Sequence, residues 1–157
     1  MSWKILIERG NLGFSAAHFI TFEHECEPLH GHNYGVRVEA EGELTPDSYV
    51  LDFVVLKQLV RTLCKEWDHR FLMPLHNPHL AVRETADGEW EIRYAADTRY
   101  LLPRASVVAL PIDNCTAERL AEQLAQRIVD ALDQRGTPHH LERLTVGIEE
   151  TEMQTAF

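Results

Sequence analysis

Two short segments hold the residues best suited to chemistry: Phe14-Ser15-Ala16-Ala17-His18 and Cys26-Glu27-Pro28-Leu29-His30-Gly31-His32-Asn33. His30 and His32 are two apart, so in an extended segment both imidazoles leave the backbone on the same face. With His18 they offer three neutral nitrogens that could grip one zinc ion and leave a fourth position open, which is the pattern of catalytic rather than structural zinc. A His-x-His pair alone is a weak signal; the third histidine and the nearby cysteine strengthen it. Cys26 lies between Glu25 and Glu27, off any apolar stripe. It reads either as a thiol that a metal or an imidazolium would shift towards thiolate, or as a small buried hydrophobe. Asp68-His69 closes a helical pattern and also has two readings. One is a histidine at the negative end of a helix; the other is a carboxylate-supported imidazole able to take and return protons near neutral pH. The histidines at 24, 76, 79, 139 and 140 read as solvated side chains.

The elements that must carry these groups follow from hydrophobic periodicity. Residues 3–9 alternate as a strand, interrupted at Gly10-Asn11-Leu12-Gly13 by a bulge or turn. A second strand from about Asn33 to Glu41 has Tyr34, Val36, Val38 and Ala40 on one face, and His30 and His32 share that parity. Asp52 is a good N-cap for a helix with Phe53, Leu56, Val60, Leu63, Cys64 and Trp67 on one stripe. A second helix starts near Thr116, with Leu120, Leu124, Ile128 and Leu132 as its stripe and Gly136 and Pro138 closing it. Cys115, at its start, can be read either as core or as reactive. Between the helices, Glu89–Tyr94 and Thr98–Leu102 read as a small exposed hairpin. The last strand runs from Leu141 to about Met153. Glu150 continues the core-side parity of Leu144, Val146 and Ile148, where an unpaired charge is costly, so it either escapes to water or meets a donor. This order predicts an α+β arrangement with helices on one face of an antiparallel sheet.

At 157 residues the chain is expected to form one domain. A net charge of −10 argues against nucleic acid or an anionic membrane as partner and leaves any anionic substrate in need of a local basic pocket. No apolar run approaches the roughly 20 residues of a spanning helix, and the start is no signal peptide. Three widely spaced cysteines suit reduced thiols in a cytoplasm.

Taken together, Phe14–His18, the Cys-x-x-x-His-Gly-His-Asn string, Asp52-Phe53, Trp67-Asp68-His69, Thr116-Ala117-Glu118 and Glu150-Thr151 resemble the 6-pyruvoyl-tetrahydropterin synthase and 6-carboxytetrahydropterin synthase family. The resemblance implies the T-fold (tunnelling fold), a four-stranded antiparallel sheet with two helices on one face. Here that fold would carry an inserted hairpin within about residues 74–112. It further implies that three protomers close a β-barrel, that homotrimers commonly stack as homohexamers, and that active sites lie between protomers. By the same resemblance His18, His30 and His32 hold zinc, and Cys26, Asp68 and His69 form the proton-transfer set. Glu150 anchors a pterin ring, with Thr116 and Glu118 nearby. The implied substrate is 7,8-dihydroneopterin triphosphate and the favoured product 6-carboxy-5,6,7,8-tetrahydropterin. The alternatives are 6-pyruvoyl-tetrahydropterin, an aldolase-like cleavage of a smaller pterin, or a non-catalytic zinc- or pterin-binding homologue. Two departures stand out: Trp67 and Met73 replace the Leu and Asn of the family's Leu-Asp-His-x-x-Leu-Asn pattern, and the 74–112 connection is longer than in compact members.

Overall fold

The computed structural model describes residues 1–8, 12–96 and 98–157. The segment read as a bulge at 10–13 lies partly outside these residues, as does the tip of the inserted hairpin at Asp97. The spine of the fold is a 13-residue strand, β5 (His30–Gly42). Along one side it pairs antiparallel with β1 (Trp3–Ile7) at its C-terminal half and with β2 (Gly13–His18) at its N-terminal half. Along the other side it pairs with β11 (Leu141–Thr151), which turns at Met153 (φ 66°) into the short β12 (Gln154–Ala156). Tyr34, Val36, Val38 and Ala40 are buried on the face of β5 that receives the helices.

Both helices start at the expected caps. Asp52 Oδ1 accepts from the amides of Val54 (2.7 Å) and Val55 (3.4 Å) ahead of α1 (Phe53–Trp67). Thr116 Oγ1 accepts from Arg119 N ahead of α2 (Ala117–Gln134), and Gly136 (φ 61°) follows its end. The stripes Leu56, Leu59, Val60, Leu63 and Trp67, and Leu120, Leu124, Ile128 and Leu132, pack with Val36, Val38, Val146 and Ile148 into one core. No helix among the described residues is long and apolar enough to cross a membrane.

Two expectations need correction. The main sheet has seven strands among the described residues, not four, and it is mixed: β6 (Arg70–Pro74) pairs parallel with β2 and with β10 (Val107–Leu110). Phe14–His18 and these two runs are short and bounded by Gly or Pro, and the last two are nearly continuous apolar segments. Such segments lack the alternation that marks a half-exposed strand. The inserted hairpin is a three-stranded sheet, β7 (Leu80–Glu84), β8 (Glu89–Tyr94) and β9 (Thr98–Pro103). It packs Ile92 on Phe19, Phe71, Met73 and Val107 as a second cluster, so it is not simply exposed. On β8 the buried Glu91 is paired with Arg83 and Arg93, which pull its carboxyl down to about 2. Among the described residues the sheet of one chain is open, as it must be if a barrel closes only between protomers. A two-residue pair, β3 (Thr21–Phe22) with β4 (Glu25–Cys26), carries Cys26.

Candidate active site

The β2–β5 register builds the histidine cluster. His18 lies directly opposite His30, and Ala16 opposite His32. Directly opposed residues of an antiparallel pair share a face, and positions two apart share it as well. All three imidazoles therefore project to the helix-bearing side, as their parity predicts. Their ring centroids lie 4.7–5.2 Å apart, and one nitrogen of each falls within 4.8 Å of the others.

Two of the rings are oriented through backbone carbonyls. His18 Nδ1 faces Cys115 O at 2.9 Å, and His30 Nδ1 faces Pro28 O at 2.8 Å. A carbonyl only accepts, so Nδ1 carries a proton in each, and in the neutral ring Nε2 is the nitrogen with the free lone pair. His18 is buried, and burial lowers its pKa, with the Cys115 carbonyl and Glu150 opposing and the neighbouring histidines assisting. The neutral ring is the form that binds metal. His18 Nε2 is buried and makes no hydrogen bond: Glu150 Oε1 lies 3.2 Å away, but not in hydrogen-bond geometry. A buried ring nitrogen left without a hydrogen bond, facing two more imidazoles, fits a metal ion, and the cluster could hold one.

Beside the cluster is a cleft of about 380 Å³. Its walls include His18, His30, Glu27, Thr116, Glu118 and Glu150, with Gln154, Thr155 and Ala156 from β12. Glu150 does meet a donor. Tyr34 OH donates to Glu150 Oε1 at 3.3 Å, and His32 Nε2 lies 3.6 Å from the same oxygen. Tyr34 is buried, and burial followed by Glu150 pushes its phenol up, so it remains a donor. Sequence reading passed over Tyr34 and Glu27. Tyr34 continues the parity of His30 and His32, and Glu27 sits three residues before His30, so both signals were present.

Cys26 is placed otherwise than its loop context suggested. It is half-buried and packs with Ala17 against the Phe19, Phe71 and Met73 cluster, and it is not among the residues lining the cleft. Burial and then Glu27 raise its thiol, away from thiolate. Cys64 and Cys115 are core, and burial pushes the Cys64 thiol up to about 12. All three cysteines are free.

Asp68 and His69 follow α1 directly. His69 adopts φ 57°, a left-handed conformation that costs a non-glycine residue about 1–2 kcal/mol. It is held there by its amide on Ser15 O (2.6 Å) and its Nδ1 on Asp68 Oδ2 (2.9 Å). Asp68 Oδ1 accepts from Ser15 N at 2.8 Å. That backbone bond is the main cause of its lowered pKa, with His69 adding to it, so the imidazole's partner stays ionised. The pair lies apart from the cleft. His69, with a side chain 81% exposed, borders a second cavity walled by Ser15, Ala17, Gly31 and Asn33, the positions that alternate with the three histidines, and touching His32 at one edge.

Comparison with known proteins identifies the family and the fold. The family model described as 6-pyruvoyl tetrahydropterin synthase matches residues 9–157. A Methanocaldococcus jannaschii protein, provisionally named 6-carboxy-5,6,7,8-tetrahydropterin synthase, is 36% identical over 126 residues, covering 80% of this chain and 76% of its own. A Pyrococcus furiosus dihydroneopterin monophosphate aldolase is 48% identical over 59 residues, 38% of this chain and 50% of its own. Among solved structures, a Plasmodium vivax 6-pyruvoyltetrahydropterin synthase, in which a glutamate described as catalytic is changed to alanine, superposes with a TM-score of 0.85. It is 30% identical, covering 99% of this chain and 96% of its own.

The lowered Asp68 pKa has a testable sign. Its bonds stabilise the folded chain fully above the ordinary carboxylate value of 3.8, and that contribution is lost as pH falls through the folded value below it. Urea midpoints of wild type and Asp68→Asn should therefore differ at pH 6 and converge as the pH falls below about 4. A gap independent of pH would mean that the charge on Asp68 contributes nothing.

Proposed function

The chain belongs to the 6-pyruvoyl tetrahydropterin synthase family, and from that premise we propose that it is a zinc-dependent lyase of 7,8-dihydroneopterin triphosphate. The proposed products are 6-carboxy-5,6,7,8-tetrahydropterin, triphosphate and acetaldehyde. The observation that carries this reading is the buried, unbonded His18 Nε2 facing His30 and His32 in a cleft that Glu150 also lines. The name carried by the Methanocaldococcus relative supports the product. Three free thiols accord with a reducing, cytoplasmic setting.

The residues divide the work as follows. His18, His30 and His32 hold zinc, which when bound stabilises negative charge developing on the substrate's side-chain oxygens. Glu150 accepts two N–H bonds from the pterin ring, and Tyr34 OH fixes its carboxylate. Thr116 and Glu118, at the start of α2, flank the same ring. His69, oriented by ionised Asp68, takes and returns protons along the side chain, with Cys26 as its partner. Because Asp68 and His69 sit on the alternate side of β2 and β5 from the cluster, they serve the cleft of a neighbouring copy. A closed homotrimer or homohexamer meets that requirement and covers the open sheet edges.

A second reading has its own observation. Glu27, and not Cys26, lines the cleft beside His18 and His30. A carboxylate there can act as the base for an aldolase-like cleavage of a smaller pterin, the chemistry named for the Pyrococcus relative. Zinc-loaded protein should be incubated separately with 7,8-dihydroneopterin triphosphate and with 7,8-dihydroneopterin, and the products identified by mass. Formation of 6-carboxytetrahydropterin from the triphosphate, lost in Cys26→Ala and kept in Glu27→Gln, is the expected result. The reverse pattern, with a hydroxymethyl product, would establish the second reading in its place.

Glu150→Gln replaces one acceptor with a donor facing another donor. Pterin affinity measured by calorimetry should fall at least about tenfold, equivalent to about 1.4 kcal/mol, with metal content unchanged. Glu149→Gln, of opposite parity, should have little effect; a larger loss there would refute the Glu150 assignment.

Co-expression tests the shared site. His30→Ala and His69→Ala, each inactive alone, should together recover about one quarter of wild-type turnover by random assortment of copies. A mixture no better than the separate variants would mean that each site is complete within one chain.

A further inference from the structure

We infer that Asn114 is a positioning residue for the histidine cluster, and that Asn77 ties the inserted segment to the same device. The inference rests on the metal-binding reading above for its meaning in the reaction. Its geometric core does not depend on that reading.

His18 is the buried member of the cluster, and the direction of its free lone pair is set by one contact, Nδ1 to Cys115 O. Cys115 lies in the irregular stretch between the end of β10 at Leu110 and the start of α2 at Ala117. No strand ladder fixes the carbonyl there, so something else must hold it.

Asn114 does this by imitating a neighbouring strand. Its Oδ1 accepts from Thr21 N at 3.1 Å, and its Nδ2 donates to Thr21 O at 2.8 Å. The same Oδ1 accepts from Cys115 N at 3.2 Å, on the residue whose carbonyl meets His18. Asn77, itself buried, completes the arrangement. Its Nδ2 donates to Thr21 Oγ1 and to Asp113 O, both at 2.8 Å, and its Oδ1 accepts from His79 N at 2.9 Å. A primary amide has two N–H donors, and Asn77 uses both. The Cys115 thiol, donating to Leu72 O at 3.3 Å, adds a fourth tie to the loop.

Two consequences follow from the position of Thr21. It is the Cα partner of Cys26, so the amide pair also locates the β3–β4 hairpin and the Glu27 that follows it. Asn77 stands at the entrance of the inserted segment, three residues before β7. Ring tautomer, loop position and insertion are thus joined through one set of amides, of which Asn77 is buried and Asn114 half-buried. Direct hydrogen-bond partners of metal-binding histidines commonly tune metal affinity 10- to 100-fold, and Asn114 acts on such a partner, the Cys115 carbonyl.

The test uses the full chain, metal-free and loaded with Co²⁺, as wild type, Asn114→Ala, Asn77→Ala and His18→Ala. Imidazole ¹⁵N spectra of the metal-free protein report the His18 tautomer; competition with a chelator and the cobalt d–d band report the site. Wild type should show His18 as the Nδ1–H tautomer. Asn114→Ala should show mixed tautomers and Co²⁺ affinity about 10- to 100-fold weaker. Asn77→Ala should move both readouts in the same direction by less. Folded variants that lose thermal stability while keeping the wild-type tautomer and cobalt affinity would make the amides merely structural, and the inference would be overturned. Should Asn114→Ala fail to fold, Asn77→Ala, which leaves the Asn114 bonds intact, decides the question alone. If wild type binds no Co²⁺, or His18→Ala binds it equally well, the metal reading fails, yet the tautomer in the metal-free variants still decides the role of Asn114.

Discussion

The antiparallel register between β2 and β5 is the constraint on which the remaining geometry rests. It sets His18 opposite His30, and a slip of one residue would send His18 to the other face of the sheet while His30 and His32 stayed behind. The register is held at several points. A Cβ on Gly13 would come within 2.3 Å of Tyr34 O, so the strands approach there as only glycine permits. Phe14 stacks on Tyr34 at 4.8 Å and meets Trp67 edge-on at 5.3 Å, which ties the register to the last turn of α1. The same turn delivers Asp68 to Ser15, so one strand pairing positions both the imidazole cluster and the Asp68–His69 pair.

The cleft shares the negative sign of the chain's overall charge. A net charge of −10 and three nearby carboxylates, Glu27, Glu118 and Glu150, would repel a polyanionic substrate. They suit the donor-rich edge of a pterin and a divalent cation instead. A bound metal ion brings positive charge to the region where an anionic tail would approach. Burial of His18 contributes by keeping its ring neutral, because an imidazolium at that position would both repel the metal and lack a lone pair.

How much of this was legible in the sequence depended on whether the deciding contacts were local. Asp52 and Thr116 as caps, the two helical stripes and the shared parity of His30, His32 and Glu150 are local patterns, and the structure carries all of them. β6 and β10 were not legible, since they are short buried runs that pair in parallel across more than thirty residues. The sharp return of β11 into β12 was missed as well. It depends on a left-handed Met153, which nothing in Glu152-Met153-Gln154 announces. Cys26 shows the limit most clearly. Its sequence neighbours are acidic and loop-like, but what decides its environment is Phe19, Phe71 and Met73, and Phe71 and Met73 lie more than forty positions away.

The inserted segment is best understood through the edge of the sheet. β10 lies at one end of the strand order, beside β6, where unpaired backbone groups and the apolar side chains of Phe71, Met73 and Val107 would otherwise meet water. Ile92, with Trp90, Tyr100 and Leu102 beside it, covers those side chains from the three-stranded sheet. Arg83 and Arg93, both exposed, neutralise the Glu91 carboxylate that this cover would otherwise bury unpaired. The cover is joined to the side of the histidine cluster through Asn77 and Thr21, and its last strand brings Leu102 to the cavity that His69 borders. The segment that covers these side chains thereby touches both halves of the proposed site. Substitutions within it that preserve the fold can then alter the chemistry without contacting the substrate.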